Sequence, residues 1–194
     1  MGPLLWGQHS KRAGKAGPFA SWTEAGKAGL LHTSRLMANV FEPSFDGDTD
    51  QFRRARLGDQ AGCERLGISL YELAPGQSGD FHYHLGNEEL LIVVRGRPTL
   101  RTGSGSRELA EGDVVACPRG ERGGHGFENR TGEAVRVLVV SEMNEPNVSV
   151  YPDTNQVGVY DAARRGERRF GALFDVGSAA GNYGGGRARI VPPK

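Results

Sequence analysis

At 194 residues, 37% of them hydrophobic and 30 of them glycine, with a mean hydropathy of −0.47, the chain has the size and polarity of one domain with tails. The net charge of +1 is unevenly placed. Residues 1–36 carry five basic and one acidic side chain and residues 161–194 seven basic and three acidic, against 12 basic and 19 acidic over 37–160. The acidic body argues against a nucleic-acid-binding face on the folded part, and no run approaches the ~18 apolar residues of a membrane span.

Residues 1–36 are Gly/Ala/Lys/Ser text with scattered aromatics (Trp6, Phe19, Trp22) and no sustained period. They lack the apolar segment of a secretory signal, so a cytoplasmic location is expected. The segment is basic and nearly acid-free, as a transit peptide is, but its arginines are only Arg12 and Arg35. The preferred reading is a disordered extension or a start assigned too early, because Met37-Ala-Asn-Val-Phe-Glu-Pro resembles a natural start. Residues 37–65 read as an N-terminal arm. Cys63 and Cys117 have no short metal spacing and read as free thiols in a reducing compartment.

From residue 66 to 160 the text changes to short strands with Gly/Pro turn signals. Ile68–Leu73 stops at Ala-Pro-Gly. Phe81–His84 is a short strand, and Leu90–Val94 is a continuous apolar run ending at Gly96. Pro98–Arg101 and Arg107–Leu109 flank a Gly-Ser-Gly-Ser turn. Val114–Cys117 stops at Pro118, and Gly126–Asn129, Val135–Val140, Val148–Tyr151 and Val157–Tyr160 follow. No helical stripe survives over this region, so an all-β antiparallel barrel or jelly roll is predicted. Residues 161–194 return to tail composition. They hold a basic cluster (Arg164, Arg165, Arg168, Arg169), a short apolar patch at Phe170–Phe174 able to dock, and a Gly-rich end.

The only histidines beyond residue 36 are His82, His84 and His125. An i, i+2 pair on a strand projects both rings to one face, leaving Phe81 and Tyr83 on the other. The turn at Leu85-Gly86-Asn87 then brings a carboxylate back beside the two imidazoles, and His125 opens a later strand. Glu88 and Glu89 are adjacent, so on a strand they face opposite ways and only one can join the set. Three imidazoles and a carboxylate suit a first-row divalent metal and leave coordination positions open. Asn129 reads as a strand-end hydrogen-bonding residue, Arg101 and Arg119 as surface charges, and Tyr71, Tyr83 and Arg95 as core, rim or pocket residues. No general base stands out; Glu88 and Tyr83 are weak candidates. The glycine runs lack the Lys-Ser/Thr of a phosphate loop.

The segment Gly76-Gln-Ser-Gly-Asp-Phe-His82-Tyr-His84-Leu-Gly-Asn-Glu-Glu89-Leu-Leu-Ile-Val-Val-Arg-Gly96 resembles the first cupin motif. Its spacing to both His84 and Gly96 selects Glu89 over Glu88. The segment Gly112-Asp-Val-Val-Ala-Cys-Pro118-Arg-Gly120-Glu-Arg-Gly-Gly-His125-Gly-Phe-Glu-Asn129 is similar to the second. It departs in one place: four residues, Glu121 to Gly124, separate Gly120 from His125 where the family has two. Met143-Asn-Glu-Pro and Tyr151-Pro-Asp resemble small bacterial single-domain cupins. The resemblance implies a double-stranded β-helix over 66–160, often paired as a homodimer, with one divalent metal (Fe, Mn, Zn or Ni) on His82, His84, Glu89 and His125. It implies a small-molecule ligand or substrate and dioxygenase, isomerase or decarboxylase chemistry, with a non-catalytic sugar-binding or sensor module as the alternative and a metal-free structural cupin as a third reading. It implies no separate organic cofactor.

Overall fold

The computed structural model describes residues 37–161 and 170–178. Over these the chain is a double-stranded β-helix, built of antiparallel pairs. The elements run β1 (Gly47–Asp48), β2 (Arg53–Ala55), α1 (Leu57–Ala61), β3 (Leu66–Leu73), β4 (Tyr83–His84), β5 (Glu89–Arg95), β6 (Thr99–Thr102) and β7 (Gly105–Glu108). Then come β8 (Val114–Cys117), β9 (His125–Glu128), β10 (Val135–Glu142), β11 (Asn147–Tyr151), β12 (Gln156–Tyr160) and β13 (Gly171–Asp175). One sheet orders β1-β2-β3-β10-β5-β8; the others are β13-β12-β11-β4 and β7-β6-β9.

Residues 91–94 of β5 and 137–139 of β10 are apolar on both faces because both sides of the sheet are packed there, while Leu90 is exposed. Inside the barrel, Leu91, Val93 and Val137 pack with Leu100, Leu109 and Cys117. On the outer face, Leu70 packs with Ala55 and Leu57, backed by Leu138, Val94, Phe45 and Val40. The arm over 37–65 therefore supplies β1, β2 and α1 and covers one wall of the barrel. Each buried Leu or Val in these layers contributes about 1.5–3 kcal/mol. Gly96 ends β5 with φ +78°, and a Cβ there would lie 2.9 Å from Val135 Cγ1, so both the backbone and the packing require glycine.

The stretch read as a C-terminal tail contains a strand. Gly171–Asp175 pairs along the whole of β12, from Tyr160 opposite Gly171 to Gln156 opposite Asp175. Main-chain pairing of an open sheet edge recruits it, although Leu173 and Phe174 stay exposed. Asn129 is fully buried at the strand end. Its Nδ2 donates to the carbonyls of Leu73 (2.9 Å) and Glu133 (2.7 Å), and its Oδ1 accepts from Thr131. Cys117 is a buried free thiol. No helix among the described residues is long and apolar enough to cross a membrane. The expectations for residues 1–36, for the Arg164–Arg169 cluster and for the Gly-rich end fall outside the described residues.

Candidate metal centre

The strand expected over Phe81–His84 is shorter than its sequence suggests, because His82 pairs with a different sheet. It forms an isolated bridge to His125, each backbone N–H donating to the other's carbonyl at 2.9 Å. The side-chain alternation nevertheless holds. Phe81 and Tyr83 are buried on one side, while His82 and His84 line a cavity on the other. Glu89 opens β5 opposite Ser141 of β10 and Cys117 of β8, which turns its carboxylate into the same cavity. His125 opens β9 after a 3₁₀ turn at Glu121–Gly123. The four residues between Gly120 and His125 are thus folded onto Pro118 rather than looped out, and His125 reaches the cavity.

Donor atoms of His82, His84 and Glu89 all lie within 4.8 Å of one another. His125 stands outside that mutually close set but touches it at two points. Its Nε2 is 3.2 Å from Glu89 Oε2, and its ring centroid is 4.7 Å from that of His82. His84 Nε2 is 3.3 Å from the same Glu89 oxygen. Glu89, His84 and His125 are buried.

Each imidazole is held from behind through Nδ1. His82 Nδ1 meets the Asp80 carbonyl at 2.9 Å, and His125 Nδ1 meets the Gly123 carbonyl at 2.9 Å. His84 Nδ1 lies 3.0 Å from both Asn147 Oδ1 and Ser149 Oγ, and Ser149 Oγ is 2.6 Å from the Tyr160 hydroxyl. Carbonyl acceptors behind a ring place the proton on Nδ1 and leave the Nε2 lone pair facing inward. An Nε2 that is protonated as well donates to the Glu89 oxygen; once that proton is lost, both nitrogens and the oxygen are acceptors facing one point. Acceptors that close repel unless a proton or a cation lies among them, and an N₃O set of this kind fits a first-row divalent metal.

The charges of the site follow from this geometry. Burial alone would raise Glu89, but hydrogen bonds from His125 and His84 outweigh it and hold the carboxyl well below its usual range. Burial, reinforced by His125 and His84, pushes His82 down to about 4. Burial also opposes charge on His125, but contacts with Cys117 and Glu89 overcome it and hold the imidazole up at about 10. Below about 10, His125 therefore carries a proton that a metal has to expel. Metal affinity is expected to rise about tenfold per pH unit toward 10, with about one proton released near neutrality. It should fall more steeply below about 4, where His82 also protonates. Calorimetry in buffers of different ionisation enthalpy reads both numbers, and a pH-independent affinity would contradict the assignment.

The cavity has a volume of about 520 Å³, within the roughly 300–1,000 Å³ of small-molecule sites. Tyr71 lines it; Glu88 and Tyr83 do not. Glu88 is exposed and its backbone N–H donates to Glu142 at 2.9 Å, while Tyr83 is buried on the opposite side of β4. Both weak candidates for a general base are thereby removed. Sequence reasoning missed Asn147, Ser149, Tyr151 and Tyr160, of which all but Ser149 line the cavity. Tyr151 stacks on His82 with ring centroids 5.6 Å apart. Its phenol is pushed up to about 12, by burial first and Tyr160 second, and so stays protonated.

The family model described as the cupin domain matches residues 69–141. A sugar phosphate isomerase from the cupin superfamily of Silicibacter pomeroyi superposes with a TM-score of 0.62 at 25% identity. The match covers 72% of this chain and 92% of that one. A protein of Acidithiobacillus ferrooxidans to which a sugar phosphate isomerase activity is ascribed superposes with a TM-score of 0.58 at 24% identity, covering 68% and 81%. No curated protein matches the sequence significantly.

Proposed function

This chain belongs to the cupin superfamily, and from that premise we propose that it is a metal-dependent isomerase of a small sugar phosphate. The observation that carries the metal is the convergence of His82, His84 and His125 on Glu89 with every Nδ1 engaged from behind. The substrate class is supported by the likeness to the Silicibacter pomeroyi sugar phosphate isomerase over 92% of that protein's length. A divalent metal on these four residues supplies positive charge to the carbonyl and hydroxyl oxygens of a sugar.

The chain's own groups do the rest. Tyr151, protonated and stacked on His82, donates a hydrogen bond to a substrate oxygen. Asp80 lines the cavity beside the ligand strand, its Oδ1 held by Gln51 Nε2 at 3.0 Å. It is a carboxylate outside the ligand set, and we assign it the transfer of the C2 proton during aldose–ketose interconversion. Phe52 and Tyr71, edge to face at 5.0 Å, form part of the cavity wall.

The reading is tested by incubating metal-loaded protein with aldose phosphates in D₂O and following the C2 proton by NMR. Metal-dependent loss of that signal, with ketose formed, is the expected result. Asp80→Asn should slow it by about 10²–10⁴-fold, the range of a lost acid–base group. A metal-loaded protein that binds these sugars but exchanges nothing would instead be a non-catalytic binding module.

A further inference from the structure

We infer that Arg54 is the anion anchor of the cavity and takes the phosphate group of the substrate. The inference rests on the isomerase reading for the identity of the substrate but not for the existence of the site.

The argument begins with register. Arg54 lies opposite Tyr71 on β3, and Tyr71 lies opposite Val137 on β10, which packs inside the barrel. Directly paired residues share a sheet face, so Arg54 points inward. Its neighbours point the other way: Ala55 packs in the outer cluster, and Arg53 meets Glu72 at 3.1 Å. Arg54 lines the same cavity as His82, His84, Glu89 and His125.

Its state of pairing sets it apart from the arginines around it. Arg56, which also lines the cavity, is paired with Asp46 at 3.1 Å, and Arg136 with Glu72 at 2.8 Å. The Arg54 guanidinium makes no ion pair among the described residues, and its Nε is buried with no hydrogen-bond partner. A buried N–H of a permanent cation without an acceptor is costly, and folded proteins rarely keep one. A ligand that brings two acceptors in one plane removes the cost, because the guanidinium fork matches phosphate oxygens bidentately. The cavity is not broadly cationic, since Asp59, Asp80 and Asp161 line it too. An anion is therefore directed to Arg54 rather than drawn in generally. With the phosphate there, the sugar extends toward the imidazoles.

Calorimetric titration with inorganic phosphate tests the anchor. Arg54→Gln should weaken phosphate binding at least tenfold, and Arg54→Lys less, because it keeps the charge and loses the fork. Arg53→Gln should leave binding unchanged. The preference of the wild-type protein for glucose 6-phosphate over glucose should collapse in Arg54→Gln, with metal content and thermal midpoint intact. His84→Ala, which removes a metal ligand, should keep its phosphate affinity. Phosphate binding lost in His84→Ala but kept in Arg54→Gln would put the anion on the metal and overturn the assignment. So would a wild-type protein that binds no phosphate. Arg54-dependent phosphate binding without C2 exchange would support the anchor while sinking the isomerase reading.

Discussion

His84→Ala is expected to lower metal affinity about 100-fold or more while the barrel remains folded. Loss of a residue that merely supports a metal ligand costs about 10–100-fold, and a ligand itself contributes more. His84 is tied in twice, through Nε2 to Glu89 and through Nδ1 to Asn147 and Ser149. Removing it leaves those partners short of a donor, at a cost of about 1–3 kcal/mol. Domain stabilities of about 5–15 kcal/mol exceed that loss. The two hydrophobic layers that hold the sheet do not include His84. Metal analysis of protein purified without chelator, set beside the far-ultraviolet dichroism of the same sample, reads both halves of the prediction. Wild-type metal stoichiometry in the variant would remove His84 from the ligand set.

The second large effect belongs to a residue with no side chain. A Cβ on Gly123 would fall 1.7 Å from the Pro118 carbonyl oxygen, 2.8 Å from its carbon and 2.9 Å from the carbonyl carbon of Cys117. All three are backbone atoms, so the 3₁₀ turn has to move. The turn also supplies the Gly123 carbonyl that holds His125 Nδ1 at 2.9 Å. Gly123→Ala should therefore cost about 1–3 kcal/mol in stability from overpacking. It should also weaken metal binding about 10–100-fold by releasing the His125 ring. Gly132→Ala is the control, because a Cβ there meets nothing within 4 Å. Chemical denaturation and metal titration of the two variants should separate cleanly. A Gly123→Ala protein with unchanged metal affinity would show that His125 does not depend on its carbonyl support.

The alternation of Phe81, His82, Tyr83 and His84 was legible, because side-chain direction along an extended chain has period two whatever its hydrogen-bond partners. The pairing itself was not. Nothing in the sequence says that His82 exchanges backbone bonds with His125 rather than continuing β4. The apolar runs of β5 and β10 announced strands, and the cupin spacing singled out Glu89. The support of His84 by Asn147 and Ser149 was hidden, because polar residues alternating with Val148 and Val150 read as any half-buried strand. Arg54 was hidden for the opposite reason. It sits among Arg53 and Arg56 in an arm that reads as surface, and only its register against Tyr71 turns it inward. The polar strand Gly105–Glu108, exposed along its length, carries almost no hydrophobic signal at all.

The main-chain exchange between His82 and His125 carries one more implication. The backbones of these two histidines are also the stitch that fastens one sheet of the jelly roll to another. An ion bound to both rings would tighten that stitch, and the backbone bonds would in turn hold the rings at a fixed separation. Loading the centre and fastening the rim of the barrel would in this sense be a single mechanical event.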